Sequence, residues 1–296
     1  MRIFPYVTVD VFTDQRFGGN PLAVVTNAQG LSDSEMQALA AEFNYSETTF
    51  VLPPDDVRHT ARVRVFDPTH ELPFAGHPNV GTGYVLATQG RDRDGVLLFE
   101  ELAGLVEVKV DRDRGGVVTG ASIAAPQNLS LGPELSPADV AACVGLDAAD
   151  IRVETHRPMA ASVGLTFVLV EVTSAALSRA APIAGEFRRV VDRSPQLGGR
   201  LSIHLYAQDG GHRLRTRMFS ALAGTYEDPA TGSANGALVA LLVFLSGAES
   251  QSFEIAQGVE MGRPSLLHVT ASRGKDGVRA WIRGNCVPVF RGEALL

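Results

Sequence analysis

Apolar and polar residues alternate along much of this chain. Val7, Val9 and Val11 interleave with Thr8, Asp10 and Phe12, and Val63 and Val65 with Arg62 and Arg64. Val106, Val108 and Val110 interleave with Glu107, Lys109 and Asp111, and Leu201, Ile203 and Leu205 with Ser202 and His204. A period of two with one polar face predicts half-exposed strands in an antiparallel sheet. Helical spacing is rarer. Ser32 and Glu35 form a capping-box pattern, followed by Met36, Leu39, Ala40 and Phe43 at helical intervals. Two further helices are expected, one from about His77 or Asn79 through "VGTGYVLATQ" and one from about Ser233 through "NGALVALLVFLS". The second is apolar nearly all round, which predicts burial on every side.

These elements recur in order. "PFAGHPN" (Pro73–Asn79) and "PATGSAN" (Pro229–Asn235) share Pro, Gly and Asn at the same offsets, 156 residues apart. "RVF" at Arg64–Phe66 parallels "RMF" at Arg217–Phe219, 153 apart, and "FEELAG" at Phe99–Gly104 parallels "FEIAQG" at Phe253–Gly258, 154 apart. Three ordered matches at nearly constant spacing imply a duplicated unit. The breaker-rich stretch Ala125–Pro137 marks the boundary. Two halves are therefore expected, 1–126 and 127–285, with the site in the cleft between them, where ligands favour domain interfaces. A helix that starts at a glycine-containing loop offers free N–H groups and a positive dipole end to an anion. Two such starts aimed at one substrate suit a carboxylate or a developing oxyanion.

Composition narrows the partners. The 296 residues carry a formal charge of −7 with no cluster of Lys or Arg, which argues against nucleic acid. The longest apolar run, Gly236–Leu245, is too short for a bilayer, and the alternating N-terminus is not the core of a signal peptide. The two cysteines, Cys143 and Cys286, are far apart, as in a reducing compartment. A cytoplasmic protein is expected.

Several chemistries fit poorly. "GHPNVGTG" lacks the Lys-Ser/Thr ending of a P-loop, and its "GTG" lacks the third spaced glycine of a dinucleotide fingerprint. His70, Glu71 and His77 lack metal-ligand spacing, so no metal is expected. "TGSANG" is not a nucleophile elbow, and neither Lys109 nor Lys275 has the setting of a Schiff-base lysine. Of the polar residues, Glu47 in "NYSETTFVLPP" reads either as a solvated turn carboxylate or as a partly buried acid/base beside an apolar strand. His77 is either a helix-start polar residue or a group that handles a proton. Asp228 is a turn residue before Pro229 or a ligand-facing carboxylate, and Ser233 caps the second helix, orients a ligand, or does both.

"ELPFAGHPNVGTG" (Glu71–Gly83) and "EDPATGSANGAL" (Glu227–Leu238) closely resemble signatures of the phenazine-biosynthesis PhzF-like family. So do "YSETTFV" (Tyr45–Val51), "FGGNPLAVV" (Phe17–Val25) and "QGVEMGRPS" (Gln257–Ser265), and the likeness runs from Val9 to the C-terminus. It implies the diaminopimelate epimerase-like fold: α+β, two pseudo-symmetric domains, each an antiparallel barrel-like sheet around a central helix. It also implies that the last strand, 286–296, returns to the first half. Racemases of that fold place a cysteine at each helix start; here those places hold His77 and Ser233. The resemblance instead implies an isomerase that needs no cofactor and acts as a homodimer on a small carboxylate-bearing substrate such as trans-2,3-dihydro-3-hydroxyanthranilate. Glu47 would shuttle the proton, with His77 and Asp228 hydrogen-bonding the substrate. The amides near Gly76, Gly232 and Ser233 would grip its carboxylate and polar substituents, with Ser46 and Asn20 nearby. A non-catalytic sensor of small carboxylates and an amino-acid racemase remain the alternatives.

Overall fold

The structure, a computed structural model, describes residues 1–223 and 225–296. The chain forms two compact units, residues 1–124 with 283–296, and residues 125–282.

The first unit runs β1 (Ile3–Val11), β2 (Asn20–Val25), α1 (Asp33–Phe43), β3 (Glu47–Leu52), β4 (Ala61–Phe66), β5 (Glu71–Leu72) and α2 (Gly76–Thr88). It continues through β6 (Val96–Glu101), β7 (Gly104–Arg112) and β8 (Val118–Ala124). The second has β9 (Ser130–Glu134), α3 (Pro137–Cys143), β10 (Ile151–Arg152), β11 (Met159–Ser162), β12 (Thr166–Val172), α4 (Ser174–Arg179) and α5 (Ala184–Arg193). It then has β13 (Ile203–Gln208), β14 (Arg213–Ser220), β15 (Thr225–Asp228), α6 (Gly232–Ser246), β16 (Ser250–Gln257) and β17 (Ser265–Gly274). The last strand, β18 (Gly277–Leu295), begins in the second unit and ends in the first, where it pairs with β1 from Ile3↔Leu295 to Val11↔Cys286.

In the first unit the pairings β1–β2–β3–β4–β6–β7–β8–β18–β1 close a ring around α2. Closure leaves this sheet no free edge. Alternation predicted antiparallel pairing throughout. The sheet departs from that at β2–β3 and β4–β6, which are parallel because their connections carry α1 and α2 as crossovers. The second unit repeats this with parallel β12–β13, joined through α4 and α5, and parallel β14–β16, joined through α6.

Local chemistry starts and ends these elements as the pattern suggests. Ser32 caps α1 by accepting from the Glu35 amide, while the Glu35 carboxylate accepts from the Ser32 amide, and Asn44 closes the helix in the left-handed region. Residues 77–87 of α2 are buried on every side, as are Gly232 and residues 234–243 of α6. Two glycines let the strands approach α2 closely. A Cβ on Gly81 would lie 2.6 Å from Leu22 Cδ2, and one on Gly83 would lie 2.5 Å from Val108 Cγ1.

The duplication extends to side chains. Arg64 pairs with Glu71 and lies over the ring of Phe66; Arg217 pairs with Glu227 and lies over Phe219. The strand register refines the sequence match. Ala61 faces Phe99 as Leu214 faces Ile255, so β6 and β16 superpose at 156 residues, where the "FEELAG"/"FEIAQG" match suggested 154. Glu101 and Gln257 are therefore counterparts. Among the described residues no helix is long and apolar enough to cross a membrane.

Candidate active site

In the first unit the start of α2 gathers four polar side chains from three elements. Ala75 is the N-cap with extended backbone, so Gly76 and His77 are the first two helical residues and their amides lack intrahelical acceptors. No acidic residue sits in this first turn, so the positive end of the helix dipole meets no carboxylate of its own helix. Glu47 opens β3, and its register partner on β2 is Leu22, two residues beyond Asn20.

A chain of contacts results. Ser46 Oγ donates to Asn20 Oδ1 at 3.0 Å, and Asn20 Nδ2 lies 3.4 Å from His77 Nδ1. His77 Nε2 faces Glu47 Oε2 at 3.3 Å, ion-pair distance without the alignment of a formed hydrogen bond. The His77 side chain is 6% exposed and that of Glu47 19% exposed. Burial pushes the His77 pKa down to about 3, against a smaller upward pull from its hydrogen bond to the Pro21 carbonyl. The imidazole is thus neutral at neutral pH, with one ring N–H. If Nε2 carries it, His77 donates to the Glu47 carboxylate; if Nδ1 carries it, Nε2 accepts from a protonated Glu47. A change of imidazole tautomer therefore lets the neutral ring face either protonation state of Glu47, the two states differing by one proton.

The second unit builds its own polar group at the start of α6. Asp228 ends β15 and is buried. Its carboxylate accepts from Thr231 Oγ1 at 2.5 Å. Thr231 is the N-cap, though its hydroxyl makes no capping bond. This corrects the capping role offered to Ser233, which is the second helical residue, the counterpart of His77. Gly232 is the first helical residue, and the opening turn of α6 also lacks an acidic residue. Gln257 ties the turn together. Its Oε1 accepts from the Thr231 amide (3.1 Å) and Asn235 Nδ2 (2.7 Å), while its Nε2 donates to the Asp228 carbonyl (2.8 Å) and Thr231 Oγ1 (3.0 Å).

The structure thus joins Asn20, Ser46, His77 and Glu47 into one polar chain beside Gly76, and sets Asp228, Gly232 and Ser233 at the opening of α6. Sequence reasoning missed Thr231 and Gln257, although both stand inside quoted motifs; a Thr just before the repeated helix start was the available signal for the first, and nothing in the sequence brings Gln257, at the end of β16, to that turn. The cysteines stand apart from both helix starts. Both are buried; the Cys143 thiol is pushed up to about 12 and that of Cys286 is also raised, which disfavours either thiolate. Among the described residues no cluster of His, Cys, Asp or Glu is arranged to hold a metal ion.

Comparison with known proteins gives the same picture at the level of the whole chain. Residues 9–292 match the PhzC-PhzF family model, described as phenazine biosynthesis-like protein. A trans-2,3-dihydro-3-hydroxyanthranilate isomerase of Pseudomonas aeruginosa is 37% identical, the alignment covering 98% of this chain and 99% of that one. An uncharacterized isomerase of Mesorhizobium japonicum is also 37% identical, over 100% of both chains. The crystal structure of a Bacillus anthracis phenazine biosynthesis protein of the PhzF family superposes with a TM-score of 0.89 at 26% identity, covering 100% of both chains. A hydroxyproline epimerase from Agrobacterium vitis shares the fold at a TM-score of 0.66 and 14% identity, covering 100% of this chain and 93% of that one.

Proposed function

The chain belongs to the PhzC-PhzF family of phenazine biosynthesis-like proteins and is an isomerase, and from this premise we propose that it moves a proton within a small carboxylate-bearing ring, with Glu47 as the acid/base. The substrate class is that of the Pseudomonas relative, trans-2,3-dihydro-3-hydroxyanthranilate. The observation that carries the reading is the buried Glu47–His77 contact at 3.3 Å at the start of α2.

In this mechanism the Glu47 carboxylate takes a proton from a ring carbon. The C–H electron pair enters the conjugated system of the ring, and the same proton returns to a different carbon as the double bonds shift. Atoms and electrons balance with no external oxidant or reductant. Neutral His77 shares its hydrogen bond with whichever form of Glu47 is present and so keeps the carboxyl group aimed. The amides of Gly76 and His77 favour negative charge developing on the substrate. At the start of α6, Asp228 and the amides of Gly232 and Ser233 offer contacts for amino and carboxylate substituents, and the active protein is a homodimer.

The test is incorporation of solvent deuterium into trans-2,3-dihydro-3-hydroxyanthranilate, followed by NMR. Glu47→Gln should slow exchange by about 10³-fold, within the range of general acid–base catalysis. Exchange by this variant at the wild-type rate removes Glu47 as the base. Asp228→Asn and Glu47→Gln should both weaken protection of the protein against heating by this ligand; an effect from Glu47→Gln alone removes Asp228 from the substrate's contacts.

A further inference from the structure

Glu101 ends β6 on the strand position that Gln257 occupies at the end of β16. The two helix starts they face are built alike. Asn79 Nδ2 donates to the Ala75 carbonyl at 3.0 Å, and its counterpart Asn235 Nδ2 donates to the Thr231 carbonyl at 3.0 Å. In the second unit the Gln257 amide supplies both a donor and an acceptor to that turn. In the first unit both carboxyl oxygens of Glu101 are shut off from solvent, with only the Asn79 amide as a nearby donor and no hydrogen bond of good geometry, and the buried Asn79 Oδ1 has no partner. An ionised carboxylate only accepts; a protonated one offers an O–H donor and keeps acceptor capacity, as an amide does. Asn79 Oδ1 is the acceptor that such a proton lacks elsewhere.

We propose that Glu101 is a positioning residue: as the neutral acid it holds the Ala75–Asn79 turn, and with it His77, in the way the Gln257 amide holds the Thr231–Asn235 turn. Its surroundings fit this state. Burial pushes the Glu101 pKa up to about 8, only partly offset by the Asn79 amide. The charged groups on the packed elements are engaged elsewhere. On β4, Arg62 stands opposite Glu100 and pairs with Asp55 through Nη1, its buried Nε making no hydrogen bond, and Arg64 pairs with Glu71 and Asp33. On β7, Lys109 pairs with Glu107, and next to Glu101 on β6, Glu100 accepts from the Asp55 and Asp56 amides and pairs with His59. On α2, His77 is neutral at neutral pH. The Ala103 amide also donates to the Pro73 carbonyl at 3.0 Å, which straps the end of β6 to the same loop.

The consequence is a pH dependence that glutamine removes. Native Glu101 keeps its proton to about pH 8, whereas the unfolded chain releases it near 4.5. Between those values the native state binds more protons than the unfolded one, so stability from this group falls as pH rises, then levels off above about 8. Thermal melts of wild type and Glu101→Gln should therefore diverge from about pH 5 to 8 in favour of the variant and run parallel above that. Infrared difference spectra between the two should show a protonated-carboxyl stretch at neutral pH that disappears through the same transition.

Positioning is read separately, from the imidazole resonances of His77. In wild type they should shift with a midpoint near pH 8; in Glu101→Gln they should stay at their neutral-pH positions throughout. Glu101→Leu, with neither donor nor acceptor, should displace them at every pH. Parallel melting curves with no carboxyl band overturn the neutral acid. A carboxyl band with His77 resonances that ignore it overturns the positioning role. The inference rests on the proposed function only in taking His77 as the group that matters. Failure of the deuterium-exchange assay leaves these resonances and melts interpretable, so the two ideas fail separately.

Discussion

A histidine that stays neutral near pH 7 offers its neighbours one N–H donor and one acceptor nitrogen. For His77 this follows from burial, and it carries a cost in acid. The unfolded chain protonates this side chain near 6.5, while the folded one resists down to about 3. Between these values the unfolded state binds more protons, so stability is full above about pH 6.5 and is lost as pH falls toward 3. His204, buried beneath α6 with Nε2 3.0 Å from Asn235 Oδ1, is depressed to about 4 and adds loss over the upper part of the same window. His77→Asn should flatten the acid side of the melting-temperature profile and slow deuterium exchange by about 10²-fold at neutral pH. A variant as acid-sensitive as wild type would mean that the ring is already charged in the fold. At this scale the sequence was informative where a motif gave a residue its neighbours: Asn20, Ser46, His77 and Glu47 were all named, and they touch. It was silent on Glu101, because nothing local distinguishes a buried glutamate at a strand end from a solvated one. Only the register, which aligns it with Gln257, does so.

At the scale of elements, the two central helices look alike in sequence and differ in how tightly their strands grip them. A Cβ on Gly83 meets Val108 at 2.5 Å, whereas one on Gly236 of α6 meets its nearest atom, Ile282 Cδ1, at 3.2 Å. Alanine gains about 1 kcal/mol of helix propensity at either position. Overpacking costs about 1–3 kcal/mol where the neighbours cannot yield. Gly83→Ala should therefore lower stability by up to about 2 kcal/mol. Gly236→Ala should be close to neutral, since the end of an isoleucine side chain can move a few tenths of an ångström. Chemical denaturation of both variants checks the contrast, and Val108→Ala should restore part of the loss in Gly83→Ala. The helices themselves were legible from their all-round apolar character. The parallel strand pairs were not, because alternation reports one polar face and is blind to strand direction. Direction is set by the crossovers, and these are long-range facts about the chain.

At the scale of the whole molecule, the sequence repeat announced two units, and the side-chain pairs Arg64–Glu71 and Arg217–Glu227 show how deep the duplication goes. It is not complete. Register matches Thr48 of β3, facing Phe66, with Ile203 of β13, facing Phe219, so Glu47 corresponds to Ser202. One half of a doubled design thus kept a carboxylate where the other has a hydroxyl, bonded to Ser220 at 2.8 Å. The most consequential departure from two equal halves is β18. Residues 283–296 belong to the first unit, and Leu295 pairs with Ile3. A ribosome makes β1 before β18, and the second unit lies between these two partners in the chain. The first unit's ring stays open until residues 283–296 have been made, by which time residues 125–282 of the second unit are already available. Non-local closure of this kind is slow and leaves a strand edge exposed meanwhile. Pulse-labelling hydrogen exchange during refolding should show β14 and β16 amides protected before those of β1. In chains stalled just after Ile282, β1 should remain open to protease. On that outcome the half that is made first is the half that folds last.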